Sequence, residues 1–153
     1  RIVEIDYDTY AEGEAVLGWL NGSATLQGKQ IDWNKFINDF LKRLAAKIDE
    51  KQIGVGHIKI LLENDQNYIS GNITGSSKTL SIQGEVAKSN SAQLTINARV
   101  EIAPEKLDRL IKETLEVVSG TEIETTIKAW KYLSPGYPKP THRYKNVFCL
   151  GKE

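Results

Sequence analysis

Four carboxylates near the start of the chain are the first residues whose type and spacing suggest chemistry. Asp6, Asp8, Glu12 and Glu14 fall within the segment DYDTYAEGEA, and clusters of carboxylate oxygens suit hard cations such as Ca²⁺ or Mg²⁺. Their spacing does not match the calcium-loop motif, and no His or Cys adjoins them. The alternative is that they close a strand and open a helix, whose positive end favours acidic side chains. They are candidate metal ligands, with this structural role as the rival interpretation.

A second cluster combines basic and aromatic side chains near the other end of the chain. The segment YPKPTHRYK contains Tyr137, His142, Arg143 and Tyr144, and such interleaving occurs in arms that contact phosphates or bases. A minimal PxxP motif overlaps it. The alternative, which we favour, is an arm that packs across its own domain or a neighbour with its tyrosines as anchors. These four residues form a candidate interaction arm.

The remaining reactive residue types do not form a catalytic set in the sequence. Residues 71–79 (GNITGSSKT) partly match a phosphate loop, but that loop needs a lysine directly after its second glycine and a helix after it. His57 and His142 are the only histidines, and Cys149 is the only cysteine. None of the three has a partner at ligand or catalytic spacing. We therefore expect a non-catalytic domain, with a small enzyme that uses scattered loop carboxylates as a rival.

Composition limits the class of partner and the location. The chain has 153 residues, enough for one domain with a sizeable core, and its 20 basic and 20 acidic residues give zero net charge. No field of one sign attracts nucleic acid or a membrane surface, so neither is expected as a partner. No secretory leader precedes the first strand-like run, which favours the cytoplasm. Because the chain begins at Arg1 and contains no methionine, we interpret it as an excised domain or a processed fragment.

Hydrophobic spacing predicts the first elements that position these groups. Residues 1–7 alternate like a strand, and a second strand-like run ends at Asn21-Gly22, a dipeptide typical of hairpin turns. Residues 23–27 then resume an extended pattern. Residues 31–51 carry apolar side chains at helical spacing, and Asp32 suits the N-cap because its carboxylate can accept a backbone N–H. We expect a hairpin followed by a surface helix.

Four segments with alternating apolar and polar residues follow this helix. Their apolar positions are Ile58, Ile60 and Leu62; Ile69 and Ile73; Leu80, Ile82 and Val86; and Leu94, Ile96, Ala98, Val100 and Ile102. Such alternation is typical of antiparallel strands with one covered face and one face in water. Polar turn segments, residues 88–91 among them, separate the strands.

A second helix and a last strand complete the predicted domain. Pro104 suits a first helical position because its missing N–H costs nothing there, and Gly120 suits the residue that ends a helix. Residues 121–131 form the last strand, with Ile123, Ile127 and Ala129 on one face. The predicted fold class is α+β: a mostly antiparallel sheet of about five to six strands with two helices packed on one face. Residues 1–133 form this single domain, and residues 134–153 form a proline-rich extended tail.

Several of these segments together carry a family resemblance. They are residues 56–62 (GHIKILL) with residues 68–75 (YISGNITG), and residues 94–102 (LTINARVEI) with the helix from Pro104 to Leu115. They resemble a strand pair and the closing strand and helix of the carboxy-terminal domain of CobW-type GTPases. The helix at residues 33–49 falls where that family places its first helix. Residues 5–21 resemble the segment that follows the GTPase domain in cobalamin-synthesis-like members. The resemblance covers about two-thirds of the chain.

The resemblance implies an accessory role. CobW-type proteins are P-loop GTPases that act as metal chaperones or insertases, some linked to cobalamin biosynthesis and some to zinc, and their nucleotide and metal motifs lie in the amino-terminal domain. This chain has neither a Gly-Lys-Thr loop nor a Cys-x-Cys-Cys motif, so no catalytic residue is carried over. GTP and a divalent metal would belong to the parent protein. The implied partners are the chain's own amino-terminal GTPase domain and a client metalloprotein.

Two other classes of function remain open at this point. A free-standing small-molecule-binding domain predicts a cavity between the helices and the sheet, whereas a partner-binding domain predicts a filled core and an exposed interaction face. An enzyme predicts a cleft in which ionisable groups converge and have shifted pKa values. The long arm at residues 134–153 departs from the short form of the CobW-type domain, which leaves a different subfamily role open.

Overall fold

Six antiparallel strands and two helices make up the described part of the chain. The computed structural model describes residues 17–75 and 79–135. Its elements are β1 (Gly18–Ile31), α1 (Trp33–Glu50), β2 (Val55–Glu63), β3 (Tyr68–Thr74), β4 (Thr79–Gly84), β5 (Ser89–Val100), α2 (Pro104–Ser119) and β6 (Glu124–Leu133). The strands form one sheet in the order β4-β3-β2-β5-β1-β6, and every neighbouring pair is antiparallel. The predicted α+β fold is confirmed.

Both helices cover the same face of the sheet. α1 contacts β3, α2 contacts β1 and β6, and the two helices contact each other. The strand residues that face them are apolar and form one core with the buried sides of the helices. The largest fully buried side chains are Trp33, Phe40, Leu20, Leu26, Ile37, Leu41, Leu44, Ile48, Ile58, Ile60, Leu62 and Ile73. The alternation predicted for β2, β3 and β5 is therefore correct. No helix in the described residues is long and apolar enough to cross a membrane.

The start of α1 is fixed by a side-chain cap and by a buried tryptophan. Asp32 is the N-cap, as predicted, and its Oδ1 accepts a hydrogen bond from the backbone N–H of Lys35 at 3.1 Å. Trp33 is fully buried, and its indole N–H donates to Ser89 Oγ at 2.8 Å. The edge of its ring meets Phe36, with ring centroids 6.1 Å apart. This single residue therefore joins the first turn of the helix to the beginning of β5.

A second tryptophan joins α2 to the sheet. Pro104 and Gly120 begin and end this helix as predicted, and Gly120 has a φ of +57°. Trp130 of β6 donates its indole N–H to Asp108 Oδ1 at 2.7 Å. The ammonium of Lys112 pairs with the same carboxylate at 3.1 Å and lies 5.6 Å from the indole ring. These contacts hold β6 against the side of α2 that faces the sheet.

The predicted turn at Asn21-Gly22 is wrong, because β1 runs without interruption through both residues. Gly22 pairs with Ile96 on one side and with Trp130 on the other. The indole of Trp130 lies directly over Gly22, and a Cβ built there would come within 2.3 Å of a ring carbon. The glycine is required by this close approach rather than by a turn. The two short strands predicted on either side are one long strand.

Three further boundaries differ from the sequence prediction. Residues 88–91 are not a turn, since Ser89 already belongs to β5 and binds the Trp33 indole. β4 ends at Gly84, so Val86 is buried beyond the strand while Ile82 remains 36% exposed at the sheet edge. β6 begins at Glu124, and an irregularity in its register places Ile127 opposite Ala24 and Ala129 opposite Ser23. Ile127 and Ala129 therefore do not share a face.

The contact between Gly22 and Trp130 makes a testable prediction. Gly22→Ala should lower the free energy of unfolding by about 1–3 kcal/mol, because the new methyl group overlaps the indole ring in a packed interior. In a Trp130→Ala background the same substitution should cost at least about 1 kcal/mol less, since residues in contact are energetically coupled. Urea unfolding of the four proteins of this double-mutant cycle measures the coupling. Additive effects would contradict the proposed contact.

Candidate functional site

The site residues predicted from sequence lie outside the described residues. This holds for the acidic cluster of Asp6, Asp8, Glu12 and Glu14, and for the arm residues Tyr137, His142, Arg143 and Tyr144. The strand predicted at residues 1–7 lies outside them as well. Within residues 17–75 and 79–135, no three His, Cys, Asp or Glu side chains come together in a group that could hold a metal ion. The surfaces of the described residues supply the further candidates.

The face of the sheet that carries no helix presents an ordered row of amides and amines. Strand pairing aligns one outward-facing residue from each strand: Lys131, Asn21, Asn97, Lys59, Asn72 and Ser81. We call this the Asn–Lys row and the helix-free side the open face. All six side chains can form hydrogen bonds, and the row crosses the whole sheet. An incoming surface would meet a continuous line of donors and acceptors.

The asparagines in this row are unfavourable for strand formation. Asn is depleted in strands relative to Thr, Val or Ile, yet Asn21 and Asn97 lie directly opposite each other near the middle of the sheet. Both are exposed, and within the described residues neither side chain makes a hydrogen bond. Asn72 differs, because its Oδ1 lies 2.9 Å from the Nε2 of His57. Residues that oppose local preference without an internal partner are typical of functional surfaces.

A second row lies beside the Asn–Lys row and is centred on a tryptophan. Trp19 pairs with Arg99, which in turn pairs with His57. The guanidinium of Arg99 lies 4.6 Å from the centroid of the Trp19 ring, within cation–π range. The indole N–H of Trp19 is buried and has no hydrogen-bond partner in the described part of the chain. A buried donor that is left unsatisfied costs about 1–3 kcal/mol, so an acceptor supplied from outside the described residues would be favourable here.

The two rows give one end of the open face a positive charge. They contain Lys59, Arg99 and Lys131 and no carboxylate. On β2 the nearest outward-facing acid is Glu63, which pairs with Tyr68 at the far end of the strand. A net-neutral chain therefore carries a local basic surface, which the whole-chain charge does not reveal. We call the Asn–Lys row and the tryptophan row together the basic end of the open face.

The exposed groups of this surface suit non-covalent binding. Its cationic and imidazole groups, Lys59, Arg99 and His57, are exposed rather than enclosed, so nothing excludes water from a reacting bond. One resolved pKa change lies elsewhere, on α1, where a hydrogen bond from Lys35 to Asp39 at 2.7 Å and the charge of that carboxylate raise the pKa of the lysine. This is an exposed helical ion pair. The basic end can instead form hydrogen bonds, ion pairs and stacking contacts.

The sequence predicted this face only as the solvent-exposed side of the sheet. The alternation of β2 and β5 correctly indicated that Lys59, Asn97 and Arg99 point away from the core. It did not indicate that they align with Asn21, because that residue was assigned to a turn. The available signal was the presence of asparagine at outward positions of several strands, a residue type that strands disfavour.

Comparison with protein-family models, with curated proteins and with solved structures finds no match to this chain.

The strand-disfavouring amides provide a test of whether the open face is functional. Asn21→Thr and Asn97→Thr should each raise the free energy of unfolding by a few tenths of a kcal/mol, up to about 1 kcal/mol, because Thr suits the pleated surface better. Thermal and urea unfolding of each variant measure the change. Stability should rise without altering the far-ultraviolet circular dichroism spectrum. A loss of more than about 1 kcal/mol would mean that the amides serve the fold.

Proposed function

We propose that this chain is a non-catalytic accessory domain of a CobW-type GTPase, and that its basic end contacts the GTPase domain. The observation that carries the proposal is the open face: a broad polar surface on which Asn21 and Asn97 make no hydrogen bond among the described residues and the cations Lys59, Arg99 and Lys131 lie beside them. In this proposal the domain serves metal or cobalamin-related delivery by recognising a client protein and by coupling its binding to the nucleotide state. GTP and a divalent metal are bound by the parent protein.

The filled core supports a partner-binding domain over a small-molecule binder. The space between the helices and the sheet is occupied by large side chains such as Trp33, Phe40 and Leu44, all of them fully buried. Gly71 leaves room for Leu41 to reach the sheet, since a Cβ at this glycine would come within 2.2 Å of the leucine methyl. A ligand in this layer would have to displace core residues. A surface-binding role requires no such displacement.

The path of the chain supports the GTPase domain as the occupant of the open face. In the CobW-type family that domain lies on the amino-terminal side. Here the chain enters the sheet at Gly18, immediately before Trp19 and the basic end. A domain that precedes Arg1 would be joined through residues 1–17, and a segment of this length allows the domain to contact Arg99 and Lys59. The exposed amides of Asn21 and Asn97 would then find partners on its surface, and buried hydrogen bonds of this kind provide specificity.

The assignment to a CobW-type protein is tested first at the level of the gene. The reading frame upstream of the codon for Arg1 should encode a GTPase domain with a Gly-Lys-Thr phosphate loop. If it encodes a different kind of domain, or none, then the CobW-type assignment is wrong and the open face must bind something else.

The role of the basic end is tested by charge reversal. Lys59→Glu should weaken binding between the 153-residue chain and the separately produced GTPase domain by about tenfold, since a like charge at an interface opposes association. Isothermal titration calorimetry in GTP and in GDP measures the affinity. Lys42→Glu, a matched reversal on an exposed position of α1, should change it by less than about twofold. If the two charge reversals weaken binding equally, the open face is not part of the interface.

A further inference from the structure

A groove runs along the solvent side of the two helices, away from the open face. Its wider part has a volume of about 450 Å³ and lies between Lys51 at the end of α1 and Lys106 near the start of α2. Its narrower part, of about 220 Å³, lies between Arg43 and Val117. Both parts are lined by Leu110 and Glu113, so they are continuous. We call this feature the helix groove.

The floor of the helix groove is apolar. Leu110 and Ile53 are each 8% exposed, and Ile102 extends the same surface at the wide end. Thr114 adds no unpaired polar group, because its hydroxyl donates to the carbonyl of Leu110 at 2.7 Å. At the narrow end, Val117 is 53% exposed, although it is a large apolar residue on a helix. The floor therefore offers a stripe on which apolar side chains can pack.

The rim of the groove is strongly basic on the α1 side. Arg43, Lys47 and Lys51 are spaced four residues apart and so project from one side of that helix. Lys106 and Arg109 add two more cations from the first half of α2. Within the described residues, none of these five side chains forms an ion pair.

Two other lysines on the same helices, by contrast, are paired. Lys35 binds Asp39 at 2.7 Å, and Lys112 binds Asp108 at 3.1 Å. Both pairs lie outside the groove's basic rim. The carboxylates that line the groove are Glu113 and Glu116, both on α2. Cations outnumber carboxylates around the apolar floor by five to two.

From this pairing of charge and apolar surface, we propose that the helix groove binds an acidic amphipathic helix of a partner protein. The distance along α2 from Lys106 to Val117 is about 16 Å, which matches about three turns of a helix. Apolar residues of the bound helix pack on Leu110 and Val117, and its carboxylates face the α1 rim. The groove thus uses helix-in-groove recognition. The proposal goes beyond the accessory function, because this surface requires neither the open face nor a GTPase domain.

The charge distribution also sets the orientation of the bound helix. Lys106 and Arg109 lie at the wide end, whereas Glu113 and Glu116 lie toward the narrow end. The most acidic end of the partner helix therefore lies at the wide end. A partner whose acidic residues are concentrated at the opposite end meets Glu116, and like charges disfavour that arrangement.

The proposal is tested by fluorescence anisotropy with the full 153-residue chain and a panel of fluorescein-labelled helical peptides. Each peptide carries leucines at positions i, i+3, i+4 and i+7 with flanking glutamates, and each has a counterpart in which glutamine replaces glutamate. The acidic peptides should bind at least about tenfold more tightly than their glutamine counterparts. Peptides with their acidic residues at the end that meets Lys106 and Arg109 should bind best.

Variants of the chain locate the binding surface. The double variant Arg43→Glu with Lys47→Glu should weaken binding at least about tenfold, and Val117→Asp should weaken it to a similar extent. Lys42→Glu reverses an exposed charge on α1 that does not line the groove and should change affinity less than about twofold. Lys59→Glu on the open face should also leave peptide binding unchanged. That variant separates failure of this proposal from failure of the proposed GTPase contact. Circular dichroism establishes that each variant is folded.

Several outcomes would overturn the proposal. Three results would exclude an acidic helix as the occupant. They are equal affinity for acidic and glutamine peptides, an equal loss of affinity in Lys42→Glu, and no binding tighter than millimolar across the panel. Binding to vesicles of phosphatidylserine and phosphatidylcholine, with no peptide binding, would assign the groove to a lipid surface. If peptides bind only after Asp6, Asp8, Glu12 and Glu14 are replaced by Asn and Gln, the occupant of the groove is this chain's own acidic segment. If sedimentation shows a dimer that Val117→Asp dissociates, the occupant of the groove is a second copy of this chain.

Discussion

The packing of the Trp130 indole over Gly22 is the constraint on which the rest of the arrangement depends. It requires glycine at one position of β1 and thereby keeps this strand continuous between β5 and β6. The same indole binds Asp108, which turns one side of α2 toward the sheet. Residues on the other side of that helix, among them Arg109, consequently line the helix groove. One aromatic residue thus links the pairing of β1 with β6 to the side of α2 that faces the sheet.

The two surfaces of the molecule follow from the one-sided covering of the sheet. An antiparallel sheet with helices on a single face needs apolar residues only on that face, so its other side can vary without loss of the core. The open face carries asparagines and the Trp19 indole, whose N–H has no hydrogen-bond partner among the described residues. The helices in turn carry exposed ion pairs such as Lys35–Asp39 and, along the groove, cations that form no ion pair among the described residues.

How far the sequence predicts this structure depends on whether a signal is local. Asp32, Pro104 and Gly120 act through their own backbone geometry, and the helices that they delimit were predicted correctly. Asn21-Gly22 has the local signature of a turn, but a residue more than one hundred positions away overrides it. Ser89 likewise appears in a turn-like segment and is held in a strand by Trp33. The basic end was not predicted because its cations come together only once β2, β5, β1 and β6 are in register.

The adjacency of β1 and β6 has a mechanical consequence. Trp19 pairs with Leu133 at one end of the sheet, so the described chain enters and leaves at neighbouring points. A pulling force applied at these two points acts across the strands, along the hydrogen bonds that join them. It therefore loads the bonds one after another and peels β6 away, instead of shearing all of them together. The domain resists such a force weakly, and β6 with its tryptophan is the first element that tension between the two connections would remove.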